Sequence, residues 1–287
     1  MNIIKHKWVF LTISGILVAA SIASILVFGF KQGIDFVGGT LWQIKISATK
    51  EALQAALPGA IVASQPATGS FILRTGELKE SEHQSLLKVF KEKFGEVEEL
   101  RFETIGPSIG NELRTKSIKA FLFVLLAISL YIAFVFRKVS RPVSSWKYGL
   151  ITLITLFHDA LIPLGTFSIL GYFLNIEIDT IFVVAILVVL GFSVHDTIVV
   201  FDRIREKLKL QKSGNYDFDE LVNRGVNETI IRSINTSLTL VLVLVAMLFL
   251  GAASLQYFIL AILIGVVVGT YSSIFVASPL LTLWRRL

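Results

Sequence analysis

His195 and Asp196 stand side by side inside an apolar run, in the stretch Gly191 to Glu206 that reads GFSVHDTIVVFDRIRE. A carboxylate near the middle of a membrane span costs about 2.5 to 3.5 kcal/mol on insertion scales, so an acid there faces a bundle interior and does work for the protein. A second pair, His158-Asp159, sits in another apolar run, and Arg232 opens the polar segment RSINTS. Acid, imidazole and guanidinium are the groups from which a proton relay is made, because an Asp beside an Arg can trade its proton for a charge partner. A static buried ion pair between Asp196 and Arg232 is the competing reading, and each histidine can equally hydrogen-bond a neighbouring helix.

Helical spacing sorts these residues into faces. Thr152, Thr155, Asp159, Pro163 and Thr166 share one stripe; Ser193, Asp196 and Arg203 share a second; Arg232, Asn235, Thr236 and Thr239 form a third. Lipid penalises all three, so the expectation is that they turn toward one another. Asp196 lies about 9 Å of helix from Asp202 at 1.5 Å per residue, within reach of an extended Arg232 side chain. Gly265 and Gly269 make a GxxxG spacing, which predicts close helix contact without chemistry. The His-Asp pairs have no HExxH motif, third ligand or nucleophile elbow with them, which argues against an intramembrane hydrolase and predicts no metal and no cofactor. The chain has no cysteine, which removes disulfides, thiol nucleophiles and thiolate metal sites together.

The elements that must position these groups are those of a polytopic α-helical membrane protein. Of 287 residues 54% are hydrophobic and only 17% charged, enough for several spans at about 20 residues each plus one water-soluble domain. Residues 1–30 carry a short basic head and an apolar run from Trp8 to Phe30, read as an uncleaved first helix over a signal peptide. Residues 31–116 return to soluble composition. There, strands at 41–46, 61–64, 71–74 and 97–104 alternate with a helix capped by Thr49 and one opened by a Ser81–Gln84 capping box, the latter presenting Leu86, Leu87, Phe90 and Phe94. Strand, helix, strand, strand, helix, strand is the order of a ferredoxin-like α+β sandwich. Residues 117–287 hold five further apolar runs, at 118–136, 149–174, 179–201, 235–253 and 257–283, which makes six spans with a basic joint at 202–234. Lysine and arginine concentrate in the head, the 137–147 joint, the 202–234 joint and the tail at Arg285-Arg286, and the two short joints on the opposite side carry none. By the positive-inside rule both termini are cytoplasmic and the 31–116 domain is extracytoplasmic. The net charge of +6 therefore encodes topology rather than nucleic-acid binding, and leaves membrane lipids or an acidic partner as alternative contacts of the basic joint.

Gly33-Ile34-Asp35-Phe36-Val37-Gly38-Gly39-Thr40, the His158-Asp159 pair, Gly191 to Glu206 and Arg232 to Ser237 together resemble the SecF family of bacterial protein-export membrane subunits. The resemblance covers nearly the whole chain. It implies an RND-type half of six transmembrane helices in the cytoplasmic (inner) membrane. SecD would supply the other half, with the SecYEG channel and YajC as further partners and a translocating preprotein as cargo. It implies that proton flow drives movement of the exterior domains, with Asp196 and Arg232 in the proton path. His195 stands where Asn is more usual in the family. The motif residues Gly33, Asp35, Gly38 and Gly39 come with the resemblance. An RND-like proton-coupled exporter of small molecules or lipids, and a passive scaffold subunit, are the alternative functions.

Overall fold

The computed structural model describes residues 2–65, 69–138, 143–210 and 216–284. The chain clusters into two compact units, one of residues 32–118 and one of residues 1–31 with 119–287. From the N-terminus the elements run α1 (Lys7–Phe28), α2 (Ile34–Val37), β1 (Gly39–Ile46), α3 (Lys50–Ala56), β2 (Ile61–Gln65), β3 (Ser70–Thr75), α4 (Glu80–Phe94) and β4 (Val97–Ile105).

In the 32–118 unit the sheet order is β2-β3-β1-β4, and each neighbouring pair is antiparallel. This is the ferredoxin-like arrangement expected from the element order. Period-two alternation in β1 sends Trp42, Ile44 and Ile46 inward and leaves Lys45 exposed. Those side chains meet Leu53 of α3, Leu73 of β3 and Phe90 of α4 in one core, where Trp42 stacks on Phe90 with ring centroids 5.3 Å apart. Thr49 caps α3 as its sequence position predicts, its hydroxyl oxygen accepting from the Ala52 N–H at 3.3 Å. The second helix starts differently from the expectation. Its capping acid is Glu82, which accepts from the Lys79 N–H at 3.0 Å. Gln84 instead donates to Glu80 at 2.6 Å. That amide, and then His83, hold the Glu80 carboxyl below the usual carboxylate range. Acids in the first turn complement the helix N-terminus, so α4 begins before Ser81. The Pro66–Thr68 portion of the β2–β3 turn lies outside the described residues.

Five more helical segments carry the membrane unit: α5 (Pro107–Val135), α6 (Ser145–Leu174), α7 (Thr180–Leu210), α8 (Phe218–Leu250) and α9 (Gln256–Ser272). The last continues through a π turn at Ser273–Ala277 into α10 (Ser278–Leu283). Among the described residues six helices are long and apolar enough to cross a membrane. Burial along α1 inverts the rule of soluble cores. The buried residues of α1 are Ser14, Ser21 and Ser24, while Ile16, Leu26 and Val27 point outward. Apolar side chains gain nothing by leaving lipid for protein, so helices meet through small and polar residues. Ser24 donates to the Gly165 carbonyl at 3.0 Å, and a Cβ on Gly165 would overlap Ser21.

The helix ends extend two expectations. Helix α5 begins at Pro107, within the 32–118 unit and ahead of the apolar run at 118–136. Most of the 202–234 stretch is helix, because α7 runs on to Leu210 and α8 starts at Phe218. Its charges form pairs one turn apart, as in Arg203–Glu206 and Arg224–Glu220, and Glu228 of α8 binds both Arg203 and Lys207 of α7. Charge in this stretch continues the helices past the apolar zone. Residues 139–142 and 211–215 and the tail at Arg285-Arg286 lie outside the described residues.

Phe90→Ala removes a fully buried ring, at an expected cost of about 3–5 kcal/mol to the 32–118 unit. Near-ultraviolet circular dichroism and limited proteolysis of the full chain will show that unit loosened with overall helicity retained.

Candidate functional site

Asp159 on α6 is fully buried at 0% exposure. Its Oδ1 is bonded to His158 Nδ1 at 2.8 Å. Its Oδ2 accepts from the Ser193 hydroxyl of α7 and from the Ser272 hydroxyl of α9 at 2.7 Å. Three helices therefore converge on one carboxyl, whose acceptor capacity is well used. His158 is buried too, and its Nε2 has no hydrogen-bond partner among the described residues. Small residues make the convergence possible. A Cβ on Gly269 would stand 2.9 Å from Ser193 Cβ, and one on Gly265 would overlap Val189, so the GxxxG spacing presses α9 against α7 as expected. Helix α6 contributes Thr152 and Thr155 from the predicted stripe, both buried, with hydroxyls returned to carbonyls of their own helix.

Asp196 is one turn along α7 from Ser193 and nearly as buried, at 2% exposure. Its hydrogen-bonding is much poorer. Among the described residues the one side-chain donor bonded to it is Ser237 of α8 at 3.4 Å, and that hydroxyl has a closer acceptor in the Ser233 carbonyl at 2.8 Å. Thr270 of α9 reaches the same Ser237 oxygen at 2.6 Å. A buried carboxyl with a single long contact calls for a further partner or a proton.

Arg232 does not supply that partner within this chain. It is exposed, as are Asn235, Thr236 and Thr239, and it pairs with no carboxylate among the described residues. The expectation that all three polar stripes turn inward fails for α8. The buried residues of this helix include Gly225, Thr229, Ser233 and Ser237, a ladder of small residues at four-residue spacing, with Leu221, Val222 and Val226 buried beside its start. At Gly225 a Cβ would stand 2.9 Å from the Ile204 side chain of α7, so the two helices approach closely there, and the Arg232 stripe lies about 100° around the helix from the ladder. His195 is likewise exposed, and Arg203 joins Glu206 and Glu228 instead of Asp196. Ser237, Thr270 and Ser272 are site residues that lie off the predicted stripes; the ladder and the GxxxG face are the signals in the sequence that point to them.

Gly33, Asp35, Gly38 and Gly39 belong to the 32–118 unit. Gly33 caps the single turn α2, which contains Asp35, and Gly38 and Gly39 carry the chain into β1. Among the described residues no group of three His, Cys, Asp or Glu side chains could hold a metal ion.

A six-span helical bundle with buried acids among serines, joined to a small antiparallel α+β sandwich, defines a polytopic membrane protein. Residues 85–287 match the family described as Protein export membrane protein SecD/SecF, C-terminal, and residues 23–49 match the SecD/SecF GG Motif. The chain is 42% identical to the protein translocase subunit SecF of Thermobaculum terrenum, over all of this chain and 94% of that protein. It is 35% identical to that of Sebaldella termitidis, over all of this chain and 92% of that protein. Against the crystal structure of SecDF from Thermus thermophilus, described as translocon-associated, the TM-score is 0.84 at 33% identity, covering 99% of this chain and 38% of that one. The chain belongs to the SecF family.

The contrast between the two acids can be measured. Replacing Ser193 and Ser272 together by Ala strips both hydroxyl donors from Asp159 and costs about 1–3 kcal/mol for the group left unsatisfied. This will appear as a lowered unfolding midpoint in detergent. Ser237→Ala lowers it less, and equal losses would contradict the contrast.

Proposed function

We propose that this chain is an accessory subunit of the Sec protein-export machinery in the cytoplasmic membrane and that, with SecD, it uses the proton motive force to promote preprotein movement. The observation that carries this reading is the under-satisfied, buried Asp196 in a span where such a group is costly, beside a helix with an uncovered polar face. His195, Arg232, Asn235, Thr236 and Thr239 are exposed at the level of the spans. A bilayer does not tolerate that face bare, so a second membrane subunit covers it. SecD is the partner supported by the single-chain relative named SecDF, of which this chain matches 37% at 36% identity. In the assembled complex Asp196 takes up and releases the proton, and Arg232 neutralises the carboxylate when the proton leaves. His195 lies on the same uncovered side as a second titratable group. Asp159 and His158 keep the bundle together next to the path. Both termini are cytoplasmic and the 32–118 unit lies outside, where it meets the chain emerging from the SecYEG channel.

One charge crossing 100 mV supplies about 2.3 kcal/mol. That is comparable with one or two hydrogen bonds to a charged group. Export therefore draws on a nearly balanced two-state element or several protons per cycle.

Asp196→Asn keeps the shape of the side chain and removes its titration. In vesicles holding the SecD complex and the channel, this variant will associate with SecD normally and export no better with a proton gradient than without one. A gradient-dependent gain equal to that of the unsubstituted protein would sink the assignment.

A further inference from the structure

We propose that Gly38, Gly39 and Gly110 form a backbone clamp that fixes the first turn of α5 to the sheet, so that movement of the second span reaches the 32–118 unit through α5. This rests on the reading that proton-driven movement passes between spans and sandwich.

The clamp is visible in what a methyl group would strike. On Gly38 a Cβ would stand 2.9 Å from Pro107 Cα and 3.2 Å from the Ile105 carbonyl oxygen; on Gly39 it would stand 2.7 Å from the Thr75 carbonyl oxygen. On Gly110 it would stand 3.0 Å from the Gly38 nitrogen and 3.2 Å from the Phe36 carbonyl carbon. Three stretches of main chain, at 36–39, at 75 and at 105–110, thus touch without side chains between them. Gly38 and Gly39 also have φ of +78° and +118°, which suits glycine independently of packing. Gly110 has no such reason. It sits inside a helix, where glycine is unfavourable relative to alanine, and its close approach to Gly38 is what accounts for it.

The contact is placed where it can transmit movement. From Pro107 to Val124, Gly110 is the one buried residue of α5; the next are Leu125 and Ile132. Near its start, within this chain, the helix is thus held at the clamp, and it continues without interruption to Val135. The other covalent link between the units, residues 29–33, is not helical and contains Gly29 at φ +66°. A continuous helix carries displacement along its axis; the 29–33 link has no such axis, and its hydrogen bonds, from the Ile178 N–H to the Lys31 carbonyl at 2.8 Å and from the Ser168 hydroxyl to the Gly29 carbonyl at 2.6 Å, hold it to the membrane unit. The glycine pair is therefore a positioning element.

Insertion of three glycines between Lys116 and Ser117 leaves the clamp intact and interrupts α5 beyond it; the same insertion between Gln32 and Gly33 loosens the other link. In the reconstituted SecD complex the first insertion is expected to reduce the gradient-dependent part of export tenfold or more, and the second less than twofold. Gradient-independent export and recovery of the complex stay unchanged. Should the α5 insertion impair recovery, Gly110→Ala takes its place. That change raises helix propensity, so a glycine without a clamping role predicts unchanged or better export, whereas the clamp predicts loss of the gradient-dependent part. Retained gradient-dependent export in the α5 variant that assembles, or an equal loss from the 32/33 insertion, overturns the clamp. Asp196→Asn measured alongside separates the two readings. If it too leaves the gradient-dependent gain intact, the proton assignment is what fails, and the clamp falls with it.

Discussion

Lipid tails are as apolar as leucine, so the spans of this chain have no hydrophobic reason to associate. Everything in the membrane unit depends on that constraint. Serine, threonine and glycine set the closest approaches between its helices, and apolar side chains such as Leu156, Phe167 and Phe201 pack in the interior around them. The bond network at Asp159 is the strongest expression of this arrangement, because His158, Ser193 and Ser272 bring α6, α7 and α9 to one fully buried carboxyl. The glycine face of α9 lies close against α7 beside this network, with Gly269 at Ser193.

The same two helices serve the second acid. Ser193 and Asp196 are one turn apart on α7, while Ser272 and Thr270 are near neighbours on α9, with Thr270 bonded to the serine that contacts Asp196. A well-satisfied carboxyl and a poorly satisfied one therefore sit in a single packed layer. The π turn at Ser273–Ala277 comes directly after it, and such turns are frequent near functional sites because they leave backbone groups free to rearrange. One acid is thus held firmly and the other left short of donors within the same bundle, the contrast on which the proposed proton role of Asp196 rests.

Local periodicity makes much of this legible. The strands, the Thr49 cap and the spans are set by neighbours two to four residues away, and they lie close to their sequence positions. The cytoplasm-assigned stretch 202–234 is less legible because a run of charge resembles a loop, although charges a turn apart support a helix equally well. The start of α4 is ambiguous for a related reason: Glu82 and Gln84 can each close a helix end, and only the path of the chain before Ser81 decides between them.

By itself, the sequence determined that costly titratable groups lie in apolar helices and that the chain alternates between membrane and soluble composition, since both are properties of residue type and short-range period. Tertiary structure decided which of those groups are satisfied and which face outward. Arg232 and Ser233 are adjacent in sequence and equally polar in pattern, yet the fold buries the serine and leaves the arginine exposed. Hydropathy cannot distinguish a polar face that packs within the chain from one left for another subunit; side-chain volume at the contact can.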